Sequence, residues 1–421
     1  MTSAEFIYLF LEQPFPYFII LGLLSVVFIP IIRRLTTCVI DPLFLALIHC
    51  ILASVIPFYL YIIGYCSQTH LSYFVISESI FWFTIYTRSK RKFEFKRIGI
   101  INEDIYLKNV FIIALIIFTF SSLYTYYTLG AAYLMDSRLE LYSQVGGGIG
   151  ILGRLNDFSI CFLIMYTYHR FYKYKQKKFY LLFPLILVQF FLSGEKSSVL
   201  LFLTWFYVYK QFYLHETPKI RLIYIVPILL FPIIILSIRS GTNESGLQGG
   251  LIGLFYRFMC DGEGFWKAYP YNVIDTIHYR SPFLAYFKGI LATFRIVPYN
   301  EIEQSIGTIL QWNVEPLSDG IEGGPNARLP IMGWVFFKWG GLLFSLFVGY
   351  ISCFFIFKIK KYFNNSFVHV FIYGMIFTNA ISMLTDPALF WGGLATIIIN
   401  SIIYYIIFCL ASSGIIRYYS Y

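Results

Sequence analysis

Long apolar runs separated by short polar segments dominate the chain, and one longer stretch between Ile238 and Pro330 is richer in polar and charged residues. A run of about 20 apolar residues is long enough to cross a bilayer as a helix. Eleven such runs are predicted, at about 14–32, 42–64, 71–87, 109–130, 154–171, 179–193, 197–212, 220–238, 331–357, 366–385 and 388–411. The pattern predicts an all-α polytopic membrane protein with about 11 transmembrane helices, forming a single membrane domain over residues 1–421.

Lysine and arginine are unevenly distributed among the segments that connect the predicted spans. Most of the 32 basic residues fall in short segments on one side, including the clusters at 88–97 and 170–178. Because short cytoplasmic loops carry the excess of Lys and Arg, that side is predicted to be the cytoplasm. The amino terminus, a smaller loop at 131–153 and a large loop at 239–330 are then outside, and the carboxyl terminus is in the cytoplasm.

The composition fits a membrane protein and excludes several other classes. Hydrophobic residues make up 58% of the chain and charged residues 13%, and the mean hydropathy is +0.69, so too little polar surface exists to coat a soluble globule. Cytoplasmic anchoring explains most of the formal net charge of +10, and no nucleic-acid partner is expected. The seven cysteines lack ligand spacing, which predicts neither a structural metal site nor a disulfide framework. The acidic start of the chain predicts no cleavable signal peptide.

Two segments of the large loop carry dense apolar residues that are too short or too interrupted to span a bilayer. Gly249–Met259 and Ser281–Val297 are predicted to be helices lying on the membrane surface. In the second helix, Arg280, Lys288 and Arg295 would form one basic stripe, because their spacing places them within about 80° of one another.

Basic residues outside the membrane run against the positive-inside bias, and as a set they favour a polyanionic ligand. A guanidinium matches phosphate oxygens in a bidentate manner, and a lipid pyrophosphate would place two phosphates at this depth. The candidates are Lys196 at the tip of a predicted hairpin, Arg154 at a predicted helix start, and Arg239, Arg257, Arg280, Lys288, Arg295 and Arg328 in the large loop. For each cation alone, pairing with a loop carboxylate or an anionic headgroup is the alternative.

Outward-facing acids and one histidine are candidates for proton transfer. An outer carboxylate or His278 is a candidate general base towards a sugar hydroxyl. Asp386, at the outer end of a span, is expected to pair with an arginine such as Arg328 or Arg239, since an unpaired charge there is costly.

Four further carboxylates have other expected roles. Asp261 and Glu263 are assigned to substrate binding, and a divalent ion held by these two residues is the competing hypothesis. Asp41 and Glu78 lie at or within predicted spans, where carboxylates are candidates for proton coupling.

Three features of the sequence match a known layout. Phe191–Leu201 contains Leu-Ser-Gly-Glu-Lys-Ser, a long outer loop lies late in the chain with a smaller one earlier, and Gly324–Arg328 reads Gly-Pro-Asn-Ala-Arg before a glycine-spaced re-entry. Together these features resemble the hairpin, loops and loop exit of the Wzy-type O-antigen polymerases, which assemble bacterial surface polysaccharides. The family's Arg-x10-Gly pattern is matched from Arg239 to Gly250, whereas Arg138 misses it by one residue.

The resemblance implies glycosyl transfer at the periplasmic face of the bacterial inner membrane, on a GT-C-like fold. A growing glycan on undecaprenyl pyrophosphate would move onto a hydroxyl of an incoming lipid-linked repeat unit, without a metal or other cofactor. The residues expected to act in catalysis are Lys196, Arg239, His278, Arg328 and Asp386. Expected partners are the lipid-linked oligosaccharide, membrane lipids, a chain-length regulator and a flippase. An O-antigen ligase and a lipid-linked oligosaccharide flippase are the alternative functions.

Overall fold

The computed structural model describes residues 1–89, 103–129, 149–192, 199–219, 256–298, 301–316 and 323–418, and within these ranges it is all-helical, as predicted. The α-helices are α1 (Ser3–Glu12), α2 (Pro14–Leu35), α3 (Pro42–Ile62), α4 (Gln68–Arg88), α5 (Glu103–Leu129), α6 (Ile149–Tyr174), α7 (Leu182–Leu192), α8 (Val199–Val208), α9 (Glu263–Ala268), α10 (Pro282–Thr293), α11 (Ile306–Val314), α12 (Leu329–Phe337), α13 (Gly341–Cys353), α14 (Phe367–Ile381) and α15 (Leu389–Tyr418).

Six helical segments of the described chain are long and apolar enough to cross a membrane, which is typical of a multi-pass membrane protein. They are Pro14–Leu35, Pro42–Ile62, Tyr106–Tyr127, Leu329–Tyr362, Phe367–Leu384 and Leu389–Ile406. The predicted spans at 71–87 and 154–171 lie in the helices α4 and α6, whereas the predicted span at 220–238 lies outside the described residues. The number of eleven spans stays a prediction.

The start of α3 explains one carboxylate that was a candidate for proton coupling. Asp41 is 1% exposed and accepts hydrogen bonds from the N–H of Leu43 at 3.0 Å and from the N–H and hydroxyl of Thr37 at 2.9 and 3.1 Å. Pro42 follows at the first helical position, where its missing N–H has no cost. These contacts make Asp41 the cap of the helix amino end rather than a free proton carrier.

The predicted span at 331–357 is interrupted. Its first helix, α12, ends at Phe337, and the 3-10 turn Lys338–Gly340 separates it from α13. Lys338 has a φ of 50°, a left-handed conformation that residues with a side chain rarely adopt. The hydropathy of this region is continuous, so the run of apolar residues alone does not reveal the break.

The predicted surface helix at 281–297 is shorter than expected, and the basic stripe predicted on it is wrong. The helix α10 covers Pro282–Thr293, so Lys288 lies within it, whereas Arg280 precedes it and Arg295 follows it with a φ of 54°. Because only Lys288 lies within the helix, the three side chains do not share a helical face. The Nζ of Lys288 instead donates to the main-chain oxygen of Glu303 at 3.2 Å.

The chain divides into two compact units. The first comprises Met1–Glu94, Leu251–Lys360 and Phe377–Gly393, and the second comprises Phe95–Gly250, Lys361–Ile376 and Leu394–Tyr421. In the first unit α2 packs on α3 and α13 packs on α4, where the hydroxyls of Ser77 and Ser345 share a buried hydrogen bond of 2.8 Å. In the second unit α5 packs on α6.

Candidate functional site

The 3-10 turn Cys260–Gly262 of the first unit rests directly on α3. A Cβ at Gly262 would overlap the side chain of Ile56, so only glycine permits this close approach. His49 lies two helical turns before Ile56 on the same face of α3. The packing of the turn on this face places Asp261 beside His49.

Asp261 connects an imidazole and a guanidinium. Its Oδ2 lies 2.5 Å from Nδ1 of His49. Its main-chain oxygen accepts hydrogen bonds from Nε and Nη2 of Arg328, at 2.9 and 2.6 Å. His49, Asp261 and Arg328, together with Asp386, are called the Arg328 cluster below.

The positive charge of Arg328 is buried among carboxylates. Arg328 is 3% exposed and directly precedes α12. One carboxylate oxygen of Asp261 lies 4.0 Å from the guanidinium Nη2, while its other oxygen contacts His49. Asp386 and Glu78 also interact electrostatically with Arg328, so three carboxylates surround this buried charge, which would be costly without them.

The imidazole of His49 is arranged to accept a proton. Its Nδ1 shares a hydrogen bond with Oδ2 of Asp261. In the tautomer in which Nδ1 donates to the carboxylate, Nε2 is the ring nitrogen that can accept a proton. The side chain of His49 is 29% exposed, so this ring is not sealed in the protein interior. A carboxylate behind an imidazole fixes its tautomer and stabilises the imidazolium that forms on proton transfer.

Asp386 is buried, and the structure does not pair it with Arg328, one of its two expected partners; the other, Arg239, lies outside the described residues. Its Oδ2 accepts from the N–H of Ala327 and its Oδ1 from the N–H of Ala388, both at 3.1 Å. Arg328 contributes a nearby positive charge rather than a hydrogen bond to this carboxylate. Asp386 therefore fixes the residue that directly precedes Arg328.

Two glycines hold the segment that enters α12. A Cβ at Gly264 would lie 2.8 Å from the main-chain oxygen of Asn326, and a Cβ at Gly307 would overlap the main-chain oxygen of Pro325. The segment Gly324–Arg328 is thus packed backbone to backbone against α9 and α11. This packing, together with the contact from Asp386, sets the position of the guanidinium.

The pH dependence of stability provides a test of the buried carboxylate. Asp386 lies between the candidate spans Phe367–Leu384 and Leu389–Ile406, and burial raises its pKa to about 6 despite the hydrogen bonds from the backbone. An acid with a raised pKa in the folded state binds its proton more tightly there, so stability falls as pH rises from about 4 to about 6 and then levels off. The free-energy cost of ionisation is about 3 kcal/mol.

We expect Asp386→Asn to remove this contribution, so that the melting temperature of the variant falls less between pH 4 and pH 7 than that of the wild type. The amide is neutral and one of its atoms still accepts a backbone hydrogen bond. Thermal unfolding of both purified proteins, followed by tryptophan fluorescence at each pH, measures the difference. If the melting temperatures of the two proteins changed equally with pH, Asp386 would not change its protonation on unfolding.

Glu263 belongs to a different cluster from Asp261. Its Oε1 lies 2.8 Å from Nζ of Lys267, which is 1% exposed and also lies 3.2 Å from Oε2 of Glu315. Partial burial alone would raise the pKa of Glu315, but the hydrogen bond and charge of Lys267 outweigh it and lower that pKa. The two carboxylates proposed as alternative metal ligands thus have separate partners. Among the described residues, no group of three or more His, Cys, Asp and Glu side chains is placed to hold a metal ion.

The other predicted site residues are dispersed. Arg239 and Lys196 lie outside the described residues. His278, Arg257, Arg280 and Arg295 are exposed within the first unit, and Arg154 is exposed on α6 in the second unit. Glu78, the second candidate for proton coupling, accepts a hydrogen bond of 2.6 Å from Nε1 of Trp82 and also interacts electrostatically with Arg328.

Two residues of the first unit, His49 and Lys267, have charged partners that their sequence positions do not indicate. His49 is a single histidine in an apolar run, and Lys267 is one of several basic residues in the large loop. Neither has a motif around it, so only the folded structure identifies the partners of their charges. An indirect signal for His49 is that a polar side chain inside a span requires a partner.

Comparisons of the chain with protein-family models, curated proteins and solved structures found no match.

Proposed function

We propose that this protein polymerises oligosaccharide repeat units carried on undecaprenyl pyrophosphate, at the periplasmic face of the bacterial inner membrane. The proposal rests on one observation: His49 and Arg328 both contact Asp261. Transfer of a glycan from a lipid pyrophosphate needs a cation for the departing phosphates and a base for the attacking hydroxyl. The Arg328 cluster supplies both groups.

The proposed reaction is a single displacement. A hydroxyl of the incoming lipid-linked repeat unit forms a bond to the anomeric carbon of the growing glycan, and the bond from that carbon to the pyrophosphate oxygen breaks. The hydroxyl proton passes to Nε2 of His49, and Asp261 stabilises the resulting imidazolium. Arg328 neutralises the charge that develops on the undecaprenyl pyrophosphate as it leaves.

The proposed architecture is the one that the distribution of basic residues predicts. We place the amino terminus and the large loop in the periplasm and the carboxyl terminus in the cytoplasm, with about 11 spans in a GT-C-like arrangement. Arg239 and Lys196 would add positive charge from the large loop and the hairpin tip. The proposed partners are a flippase that delivers repeat units and a chain-length regulator that limits the product.

The test is elongation by the purified protein in lipid vesicles that contain the lipid-linked repeat unit of its own strain. A ladder of products differing by one repeat, separated by gel electrophoresis and identified by mass spectrometry, supports the polymerase. Transfer only to an added lipid A core would indicate a ligase. Movement of the intact glycan lipid across the vesicle membrane without any covalent product would indicate a flippase.

We expect the ladder to persist when EDTA is in excess, because a buried guanidinium can neutralise the leaving group without a divalent ion. The same vesicles, with and without chelator, provide the comparison. Activity that EDTA abolishes and added Mg²⁺ or Mn²⁺ restores would contradict the proposed role of Arg328 as the principal cation.

A further inference from the structure

A second polar cluster of the first unit lies around Asp275. Its Oδ1 accepts hydrogen bonds from Nζ of Lys338 and Nε1 of Trp334, both at 2.8 Å, and its Oδ2 lies 3.1 Å from Nε2 of His70. These four residues are called the Lys338 cluster. Nothing in the reaction proposed above uses them.

The Lys338 cluster is accessible on its charged side. The side chains of Asp275 and Lys338 are 41% and 45% exposed, whereas the side chain of His70 is 4% exposed. Partial burial alone would raise the pKa of Asp275. Hydrogen bonds from Lys338 and Trp334, together with the charge interactions with His70 and Lys338, outweigh it and hold the pKa below its ordinary value. An ionised acceptor and a cationic donor are therefore presented side by side.

An exposed aromatic ring accompanies these charges. Trp339 directly follows Lys338, is 47% exposed, and its ring centroid lies 5.9 Å from that of Trp334. Flat apolar ring faces beside paired hydrogen-bonding groups are typical of sites that bind amphipathic molecules.

The backbone around the cluster is strained. Tyr271, Asn272 and Lys338 have φ values of 56°, 54° and 50°, in the left-handed region that favours glycine. Each such residue costs on the order of 1–3 kcal/mol, and strain of this kind concentrates at ligand clamps and active sites. Here it directs the Lys338 side chain to Asp275 across the break between α12 and α13.

One short helix connects the two clusters. Arg328 directly precedes α12 and contacts Asp261, and Lys338 directly follows α12 and contacts Asp275. The rise of an α-helix places these two positions about 15 Å apart along its axis. A ligand that extends beyond the reacting sugar by a few rings would span this distance.

We propose that the Lys338 cluster, with Trp339, is a carbohydrate-binding subsite that holds the glycan of the incoming acceptor at a distance from the reacting bond. The assignment rests on the proposed function for its substrate class. The faces of sugar rings carry C–H groups that pack on Trp339, and their hydroxyls donate to Asp275 and accept from Lys338. The Lys338–Asp275 ion pair of 2.8 Å is close to neutral as a unit, which suits uncharged hydroxyl groups.

The test measures binding and elongation separately. The repeat-unit oligosaccharide, released from its lipid, is titrated into purified protein in lipid nanodiscs and followed by saturation-transfer NMR. We expect binding to the wild type and a loss of about tenfold or more in affinity for Trp339→Leu and Asp275→Asn. Trp312→Leu is the matched control, because it removes an exposed tryptophan of α11 outside the cluster.

In elongation assays, Trp339→Leu is expected to raise KM for the acceptor about tenfold with little change in kcat, since the subsite does not touch the reacting atoms. Equal binding and equal KM in Trp339→Leu, Asp275→Asn and the wild type would overturn the subsite while leaving the polymerase intact. That outcome would fit an interfacial tryptophan belt instead. Binding of the oligosaccharide through these residues without any elongation would overturn the proposed function and retain the subsite.

Discussion

Arg328→Lys should reduce the rate of elongation by about 100-fold or more while the protein continues to fold. Lysine keeps the positive charge, but its ammonium cannot reproduce the planar fork that donates through Nε and Nη2 to the main-chain oxygen of Asp261. The charge would then no longer be held where the pyrophosphate leaves. Initial rates in the vesicle assay, normalised to protein that elutes as a single species, measure the effect.

Arg88→Lys is the matched control for this substitution. Arg88 is exposed and donates a hydrogen bond of 2.8 Å to the hydroxyl of Tyr350, far in sequence from the Arg328 cluster. Its variant should elongate at the rate of the wild type. Full activity of Arg328→Lys would show that the guanidinium of Arg328 is structural, and the cation of the reaction would have to be sought among Arg239 and Lys196.

His49→Ala has the second large expected effect, a loss of about 10²- to 10⁴-fold in kcat, because it removes the proposed general base. Imidazole added to the assay should restore part of the activity, since the substitution leaves space beside Asp261 and the ring of His49 is 29% exposed. The measurement is the elongation rate as a function of imidazole concentration. A merely structural role for His49 would give a loss that imidazole does not change.

His369→Ala serves as the control for the loss of a partly buried, hydrogen-bonded histidine. Nδ1 of His369 accepts from the N–H of Asn364 at 3.2 Å, in the second unit. This variant should neither lose kcat on the scale of His49→Ala nor respond to imidazole. A response of both variants would indicate a general effect of imidazole on the vesicles.

Much of the fold could be predicted because the hydrocarbon of a bilayer offers the backbone no hydrogen-bond partners. Inside a bilayer every N–H and C=O must be paired within the segment, so long apolar runs become helices. The break at Lys338 could not be predicted in this way, because the apolar run continues through it and the partner of Lys338, Asp275, is distant in sequence. The helix α10 likewise ends at Thr293, although the apolar pattern continues to Val297.

The candidate site could be predicted only in part. The sequence placed Arg328 among several outer cations, Asp261 with Glu263 as a substrate-binding carboxylate, and Asp386 as an acid near a span that requires a partner. Which partners they have is a tertiary property: Asp386 accepts from backbone N–H groups that no sequence pattern marks. His49 contacts Asp261 because the turn carrying Asp261 packs on its face of α3.

The absence of a side chain at Gly262 has a mechanical consequence. The turn Cys260–Gly262 touches α3 without an intervening layer, so His49 and Asp261 are carried by what is in effect one rigid body. A helix that tilts to match a thinner or thicker bilayer moves everything fixed to it. The depth of the imidazole and its carboxylate would therefore follow the thickness of the surrounding lipid, while their separation stays constant.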